Sequence, residues 1–441
     1  MKTLNDNEIR IAREYLRKAL EKGAQKARVT LDKSVMDLVG TLNGEVDKVT
    51  HNLDRSLTLN VFVDGKYGSF STNKLETGDA DDFVGKAIST ARLLASDGCR
   101  DLPDPSRTEK NATGGRELDL YDDEYDRMTP ALREKLALEA SIFNENIVSE
   151  EAEFSDCLSD TIILDSQGLE CRHTETSFEY GVEMTVADKD GNRFSDYWWD
   201  AAPRLADLKI GECCPKALER ALSQIGPVDF PGGKYNMVVQ SEVASKLVSP
   251  LLSALKGFSI QQNNSFLLDS RGKKVFPEGL TIIDKCRKPG DPGSRLFDSE
   301  GVSTKECPII EKGVVKDYFL NTYTAAKLGL SPTSEDATRP MVMPFPQSGL
   351  GRDEILAICG SGIYVTGFNG GNSNSSTGDF SYGIEGFAFE NGKITHPVRE
   401  MLVTGNFITL WNHLIAAGDD FRVCMSKLIP TLAFSDVDFS A

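Results

Sequence analysis

Four histidines, nine cysteines and 67 acidic residues are the side chains of this chain with the widest chemical reach. Zinc held on one helix needs imidazoles three to five residues apart, as in HExxH or the longer HExxxH, with the glutamate as base. His51, His173, His396 and His413 do not meet that need: the nearest two stand seventeen apart, on separate predicted elements. The cysteines are scattered without CxxC, and no GxSxG elbow offers a serine nucleophile. Phosphate loops fail as well. Gly360-Ser-Gly362 runs into strand-like Ile363–Gly367, and no GxxxxGK[ST] is present. Two stretches stay as candidates. Asp298-Ser-Glu-Gly301 places Asp298 and Glu300 as a potential acid/base pair beside Gly301, or as a solvated turn. Residues 369–383, rich in Gly, Asn and Ser, sit between apolar strands and carry Thr377, Gly378, Asp379 and Ser381. Such a loop can line a cleft, offering backbone N–H groups and hydroxyls to a ligand.

The elements that must position these residues are readable from period and punctuation. Asn5–Asn7 offer N-caps to a helix with Ile9, Ala12, Leu16, Ala19 and Leu20 on one face, stopped by Gly23. Leu57, Leu59, Val61 and Val63 alternate as a strand, and Asp64-Gly65 turns it into Lys66–Thr72. A second helix follows over about 80–95. Asp-Gly, Pro103, Pro105 and Gly114-Gly115 punctuate a linker. Thr129-Pro130 caps a helix reaching about Val148. Segments near 156–165, 169–173, 178–187 and 193–199 read as an antiparallel meander, closed by a helix over about 215–225. Gly226–Gly233 is the strongest boundary. Beyond it come a long helix over 241–256, many short strands, and a last helix over 407–416. The expectation is α+β: an α/β N-terminal half with a mixed or antiparallel sheet and a β-rich C-terminal half. The parts are a subdomain over 1–100, a linker over 101–128, a middle segment over 129–225 and a C-terminal domain over 226–441.

Composition narrows the function classes. With 49 basic and 67 acidic residues the net charge is −18, which repels phosphate backbones, so direct nucleic-acid binding is not expected. No apolar run is long enough to span a bilayer. An odd number of unpaired cysteines fits a reducing cytoplasm, with each thiol a small buried hydrophobe.

Several blocks, in order, resemble the TldD/PmbA family: Ser265–Ser270, Phe297–Val302, Leu320–Gly329, Thr377-Gly-Asp-Phe-Ser381 with Gly386-Phe, Glu390–Ile394, and Pro397-Val with Gly405-Asn-Phe. The hairpin Leu57–Thr72 and the helix after it resemble that family's first domain, and the likeness spans almost the whole chain. The resemblance implies a zinc metalloprotease built from two kinds of subunit. The TldD type carries HExxxH on the helix opening the C-terminal domain; the PmbA type, also called TldE, lacks it. Together they degrade or trim extended peptides, and the family's names also mention modulation of DNA gyrase.

The matching helix here, Ser241–Lys256, holds no histidine; Val243, Leu247, Leu251 and Leu255 form an apolar stripe and Pro250 interrupts or kinks it. Cys424 lacks a Cys-Gly-Lys context, so no third ligand carries over. The resemblance therefore implies a PmbA/TldE-like subunit with no catalytic or metal-binding residue and no cofactor of its own. Zinc is expected only in a TldD-type partner. The expected associations are that partner or a second copy, and a peptide in a cleft formed by Asp298, Glu300, Gly301, Thr377, Gly378, Asp379 and Ser381; no membrane is expected. Two other readings stand beside it: a homodimeric peptide-binding protein without proteolytic activity, and a hydrolase of different mechanism using Asp298, Glu300 or Asp379.

Overall fold

The computed structural model describes residues 2–76, 78–139, 141–142 and 144–441. It divides into two compact units: Met1–Leu222 with Arg287–Thr304, and Ser223–Cys286 with Lys305–Ala441. The fold is α+β.

The first unit opens as its polar caps dictate. Asn5 Oδ1 accepts the Glu8 backbone N–H at 3.0 Å, and the Glu8 carboxylate accepts the Asn5 N–H at 2.8 Å. This reciprocal box satisfies two donors that a helix start leaves open, and α1 (Asp6–Glu21) follows. Next come β1 (Lys26–Leu42), β2 (Glu45–Val63), β3 (Lys66–Thr72), α2 (Asp79–Ala91), α3 (Pro130–Leu138), β4 (Ile147–Asp165), β5 (Glu170–Ala187), β6 (Arg193–Ala202) and α4 (Ile210–Ser223). The strands make one antiparallel sheet in the order β3-β2-β1-β4-β5-β6. Its period-two apolar face meets the 3.6-period faces of two helices: Tyr15 of α1 and Val84 of α2 are buried with Val29, Leu31, Leu59 and Val61.

Three local expectations change here, the first being that the strands expected near 169–173 and 178–187 are one continuous strand, β5. The helix expected to reach Val148 ends at Leu138, and β4 begins at Ile147. Asn144 is the reason visible in the chain: its side chain accepts the Asn146 N–H at 2.9 Å and its carbonyl the Ile147 N–H, a turn that no helix continues. Ala140 and Phe143, within that expected helix, lie outside the described residues. Strand β4 is also longer than its apolar part, because its acidic first half still alternates with buried Ala152 and Phe154. Residues 287–304 return to this unit. Phe297 and Leu296 pack with Ile163, Leu169 and Cys171, and Glu109 holds Arg287 and, at 2.8 Å, the Ser303 hydroxyl.

In the second unit β7 (Gly233–Val239) runs into α5 (Ser241–Ala254) and α6 (Gly257–Gln261). There follow β8 (Ile282–Asp284), β9 (Cys307–Glu311), β10 (Val314–Val315), α7 (Thr322–Leu328), β11 (Pro340–Val342), α8 (Arg352–Cys359), β12 (Gly362–Ser373), β13 (Asp379–Glu390), β14 (Lys393–Asn406), α9 (Phe407–Asn412), β15 (Leu414–Ala417) and β16 (Leu432–Ser440). Six strands form a sheet ordered β14-β13-β12-β7-β16-β15, and four short ones a sheet ordered β10-β9-β8-β11. In the larger sheet β7 and β12 run parallel. β14 also pairs with β16 from Leu402↔Ser440 to Thr404↔Asp438, so the sheet curls back on itself. The core inside it holds Leu247 and Leu251 of α5 with Trp411 and Phe434. Pro250 does not interrupt α5, which is helical on both sides of it. The last helix stops at Asn412; Leu414–Ala416, expected as its end, belongs to strand β15, which pairs with β16. No described helix is long and apolar enough to cross a membrane.

Candidate functional site

Helix α5 has two faces. Ala244, Leu247, Val248 and Leu251 point into the core. The opposite face carries Ser245, Lys246, Ser249, Pro250 and Ser253, which line a groove of about 450 Å³. The facing wall is the tip of the β12–β13 hairpin, through Ser373, Asn374 and Ser375, with Tyr382, Phe266 and Phe407 beneath.

The hairpin tip is held from several sides. The Ser375 carbonyl accepts the Phe266 N–H at 2.9 Å, and Ser375 Oγ lies 2.8 Å from Asn264 Oδ1. Asn374 Oδ1 accepts the Ser376 N–H at 2.9 Å. Phe407 stacks on Phe380 at 4.8 Å and on Phe266 at 5.7 Å between ring centres. The hairpin is also bulged. Asn369↔Gly383 is followed by Asn372↔Ser381, with Gly370 and Gly371 between at φ 62° and 82°. A Cβ on Gly371 would sit 2.0 Å from the Ser381 carbonyl oxygen, so only glycine fits.

Strand β12 has an unpaired flank beside this groove. β7 pairs with Gly362–Val365 and stops. From Gly367 to Ser373, β12 has β13 on one side and, among the described residues, no strand on the other. An extended segment can add to such an edge through backbone hydrogen bonds.

Two ammonium groups enter the same region. Lys246 Nζ lies 4.5 Å from the centre of the Tyr382 ring and has no carboxylate in ion-pair range among the described residues. Lys427 Nζ donates to Ser249 Oγ at 2.8 Å. The groove is thus lined by hydroxyls, amides and cations, none of them a zinc donor set, which draws on imidazole, thiolate and carboxylate. Among the described residues no group of three or more His, Cys, Asp and Glu side chains is arranged to hold a metal. The four histidines are apart: His51 Nδ1 meets Asp37 at 2.7 Å, His173 Nε2 meets Glu175 at 3.1 Å, His413 Nδ1 meets the Ser435 carbonyl at 3.1 Å, and His396 stands beside Phe230. Burial pushes Cys171 up to about 12 and Cys214 and Cys359 up to about 11, so these thiols are held protonated.

The residues singled out from sequence fall into two places. Thr377, Gly378 and Asp379 build the turn of the hairpin. Asp379 accepts from Asn406 Nδ2 at 2.9 Å and from Thr377 Oγ1 at 2.7 Å, and these two bonds hold its carboxyl below the usual range. Asn406 Oδ1 in turn accepts the Ile408 N–H and caps α9. Ser381 pairs across to Thr404 and is exposed. None of these four lines the groove; Ser373, Asn374 and Ser375, just before them, do. Asp298, Glu300 and Gly301 belong to the first unit. There Asp298 Oδ1 accepts the N–H groups of Glu300 and Val302 at 2.9 and 3.0 Å, closing its own turn, and Gly301 at φ 78° abuts Leu169. The lining serines went unremarked in the sequence. Their signal was present: Ser245, Ser249 and Ser253 repeat at four-residue spacing opposite the apolar stripe.

Three family descriptions match the chain in order: PmbA/TldA metallopeptidase domain 1 over residues 31–91, the central domain over 119–225 and the C-terminal domain over 232–441. The chain is 30% identical to Metalloprotease PmbA of Escherichia coli O157:H7 over 441 aligned residues, covering 96% of each. It is similar to a crystal structure from Bacteroides thetaiotaomicron described as a modulator of DNA gyrase, with 39% identity, a TM-score of 0.92 and 99% of each chain covered. TldE from Thermococcus kodakarensis shares the fold at 17% identity and a TM-score of 0.83, over 98% of this chain and 100% of that one. The order of the three domains and the full-length likeness to PmbA place this chain in the PmbA/TldD metallopeptidase family.

Proposed function

We infer that the chain is a PmbA/TldE-type subunit, without a metal of its own, of a cytoplasmic peptidase whose zinc is carried by a TldD-type HExxxH subunit. The observation that carries this reading is the groove itself. Its helix wall presents Ser245, Lys246, Ser249 and Ser253 where the family's metal motif would stand, while the neighbouring strand edge, Gly367–Ser373, carries no further strand among the described residues. Strand addition reads backbone, which suits varied extended peptides. Lys246 adds a positive charge suited to a peptide carboxylate.

The test combines binding and turnover. The isolated chain should bind a fluorescent unstructured peptide without cleaving it. Cleavage should appear with a TldD-type partner and disappear with chelator. Chelator-resistant hydrolysis by the isolated chain would refute the reading.

A further inference from the structure

The groove beside α5 is lined by no acidic residue among those described, in a chain that has 67 of them. The first unit shows the contrast. A groove of about 440 Å³ on its sheet is lined by Asp47, Glu151, Glu153, Glu179 and Glu183 against a single lysine, Lys48. At a net charge of −18 the molecule as a whole repels anions. In the α5 groove the local sign is reversed. Lys246 lines it, and Lys427 Nζ reaches Ser249, three residues further along the same helix face.

A second observation lies under Lys246. Tyr382 lines the groove although the residue is only 2% exposed, and its hydroxyl makes no hydrogen bond to another described residue. A buried phenol usually finds a partner, and a buried donor left unmet costs stability. The ring itself is well placed: it stacks on Phe380 at 5.4 Å between ring centres and carries Lys246 Nζ over its face at 4.5 Å. Hydroxyl and ammonium are thus two neighbouring donors, and neither has an acceptor among the described residues. A carboxylate supplies two oxygens and the matching charge, and such charge-assisted bonds are about twice as strong as neutral ones. Phe266 and Pro250 add apolar surface to the same groove. Negative charge and an apolar group within one residue's reach describe the last residue of a peptide, where both hang on one Cα. An Asp or Glu side chain brings the charge without the apolar group.

We propose that the groove holds the free C-terminal residue of a peptide. Its α-carboxylate is taken by the Tyr382 hydroxyl and the Lys246 ammonium, and an apolar side chain lies against Phe266 and Pro250. Lys427, tied to Ser249, adds to the positive potential. The proposal rests on the reading of this groove as a peptide site; it adds which end of the peptide is recognised and which last residues are preferred.

The experiment titrates the full chain with one short unstructured peptide that carries a neutral dye at its N-terminus. Four forms are compared: ending in Leu as the free acid, the same as the amide, ending in Ser as the free acid, and the Leu amide with Glu one residue earlier. The Leu acid should bind about tenfold more tightly than its amide. The Ser acid should bind about fivefold more weakly than the Leu acid. The internal Glu should not restore what amidation removes. Tyr382→Phe keeps the ring and deletes the donor. It should cut the acid-to-amide ratio to about threefold, with amide affinity and melting temperature unchanged. Tyr382→Phe combined with Lys246→Met should bring the ratio near one. A wild-type chain that binds acid and amide equally overturns this proposal alone and leaves the groove as a peptide site. A Glu amide that binds as tightly as the Leu acid does the same, by making a side-chain carboxylate the occupant. So does a folded Tyr382→Phe variant with the wild-type ratio. Binding of none of the four peptides would refute the proposal and the groove reading together.

Discussion

The Arg133 guanidinium grips the Asp156 carboxylate with both ends of its fork: Nε lies 2.5 Å from one oxygen and Nη2 2.8 Å from the other. The Asp156 side chain is fully buried and that of Arg133 nearly so. Arg133 also reaches Asp37 at 2.9 Å, which in turn holds His51.

Asp156→Ala would leave this guanidinium buried without its main counter-charge. Breaking a buried pair in this way costs about 3–5 kcal/mol. Urea unfolding of the variant should show that loss, and a cost below about 1 kcal/mol would mean the pair does not hold α3 on the sheet. Arg133→Met with Asp156→Leu should cost less than the two single changes summed, because no lone charge remains.

Acid should weaken the first unit through Glu8. Burial alone would raise its carboxyl, but the Asn5 backbone N–H, Arg55 and Lys33 outweigh burial and hold it below its ordinary value of 4.5. A depressed carboxyl contributes stability that is present above the unfolded value and is lost as pH falls through the folded one. Stability should therefore drop on acidification below about pH 4.5. Glu8→Gln should be less stable at neutral pH and show a shallower acid decline; an unchanged pH slope would remove Glu8 from the account.

The groove reading makes Gly378 a sensitive point. Its φ is 82°, and a Cβ there would lie 3.0 Å from the Phe266 ring. Gly378→Val should distort the hairpin tip, at about 1–3 kcal/mol of local strain, and lower peptide turnover by the chain with its TldD-type partner. Association of the two subunits should survive. Wild-type turnover in that variant would detach the hairpin from peptide handling.

Lys246→Ala tests the same groove without touching the backbone. The side chain is exposed, and its contact is the face of Tyr382. Peptide affinity should fall about threefold to tenfold, the range of one exposed charge contact, with melting temperature unchanged. The loss should shrink in high salt, since exposed charges are screened; a salt-independent loss would point to packing instead.

Metal content provides a further check. After dialysis the purified chain should retain no stoichiometric zinc, because the groove face of α5 offers hydroxyls and an ammonium. One tightly held zinc per chain in elemental analysis would require ligands that this arrangement does not supply.

Local features were legible wherever one short-range rule decides. The capping box at Asn5 and Glu8, the Asp64-Gly65 turn and the apolar alternation of β2 from Leu57 onward each follow from neighbouring residues. Features set by distant partners were not. Leu414–Ala417 has the composition of a helix end, yet β16 recruits it as a strand. The candidate turn at Asp298–Gly301 was visible from its Gly and paired acids, but its destination depends on Leu169 and Glu109, far away in the chain. The hairpin tip was found from its Gly, Asn and Ser, whereas the facing wall was missed. On α5 the apolar stripe draws the eye to the buried side, and the serine row on the other side acquires meaning only opposite Ser373–Ser375.

The return of residues 287–304 to the first unit has a consequence for synthesis. As the chain leaves the ribosome, the sheet from β1 to β6 can form once residue 202 has emerged, but Ile163, Leu169 and Cys171 then lack Leu296 and Phe297. That patch must wait while Ser223–Cys286, a piece of the other unit, is translated. Neither unit can finish before the other has begun, so the two halves are locked into a shared assembly schedule. A fragment cut near residue 225 would carry an uncovered apolar patch and should be prone to chaperone capture.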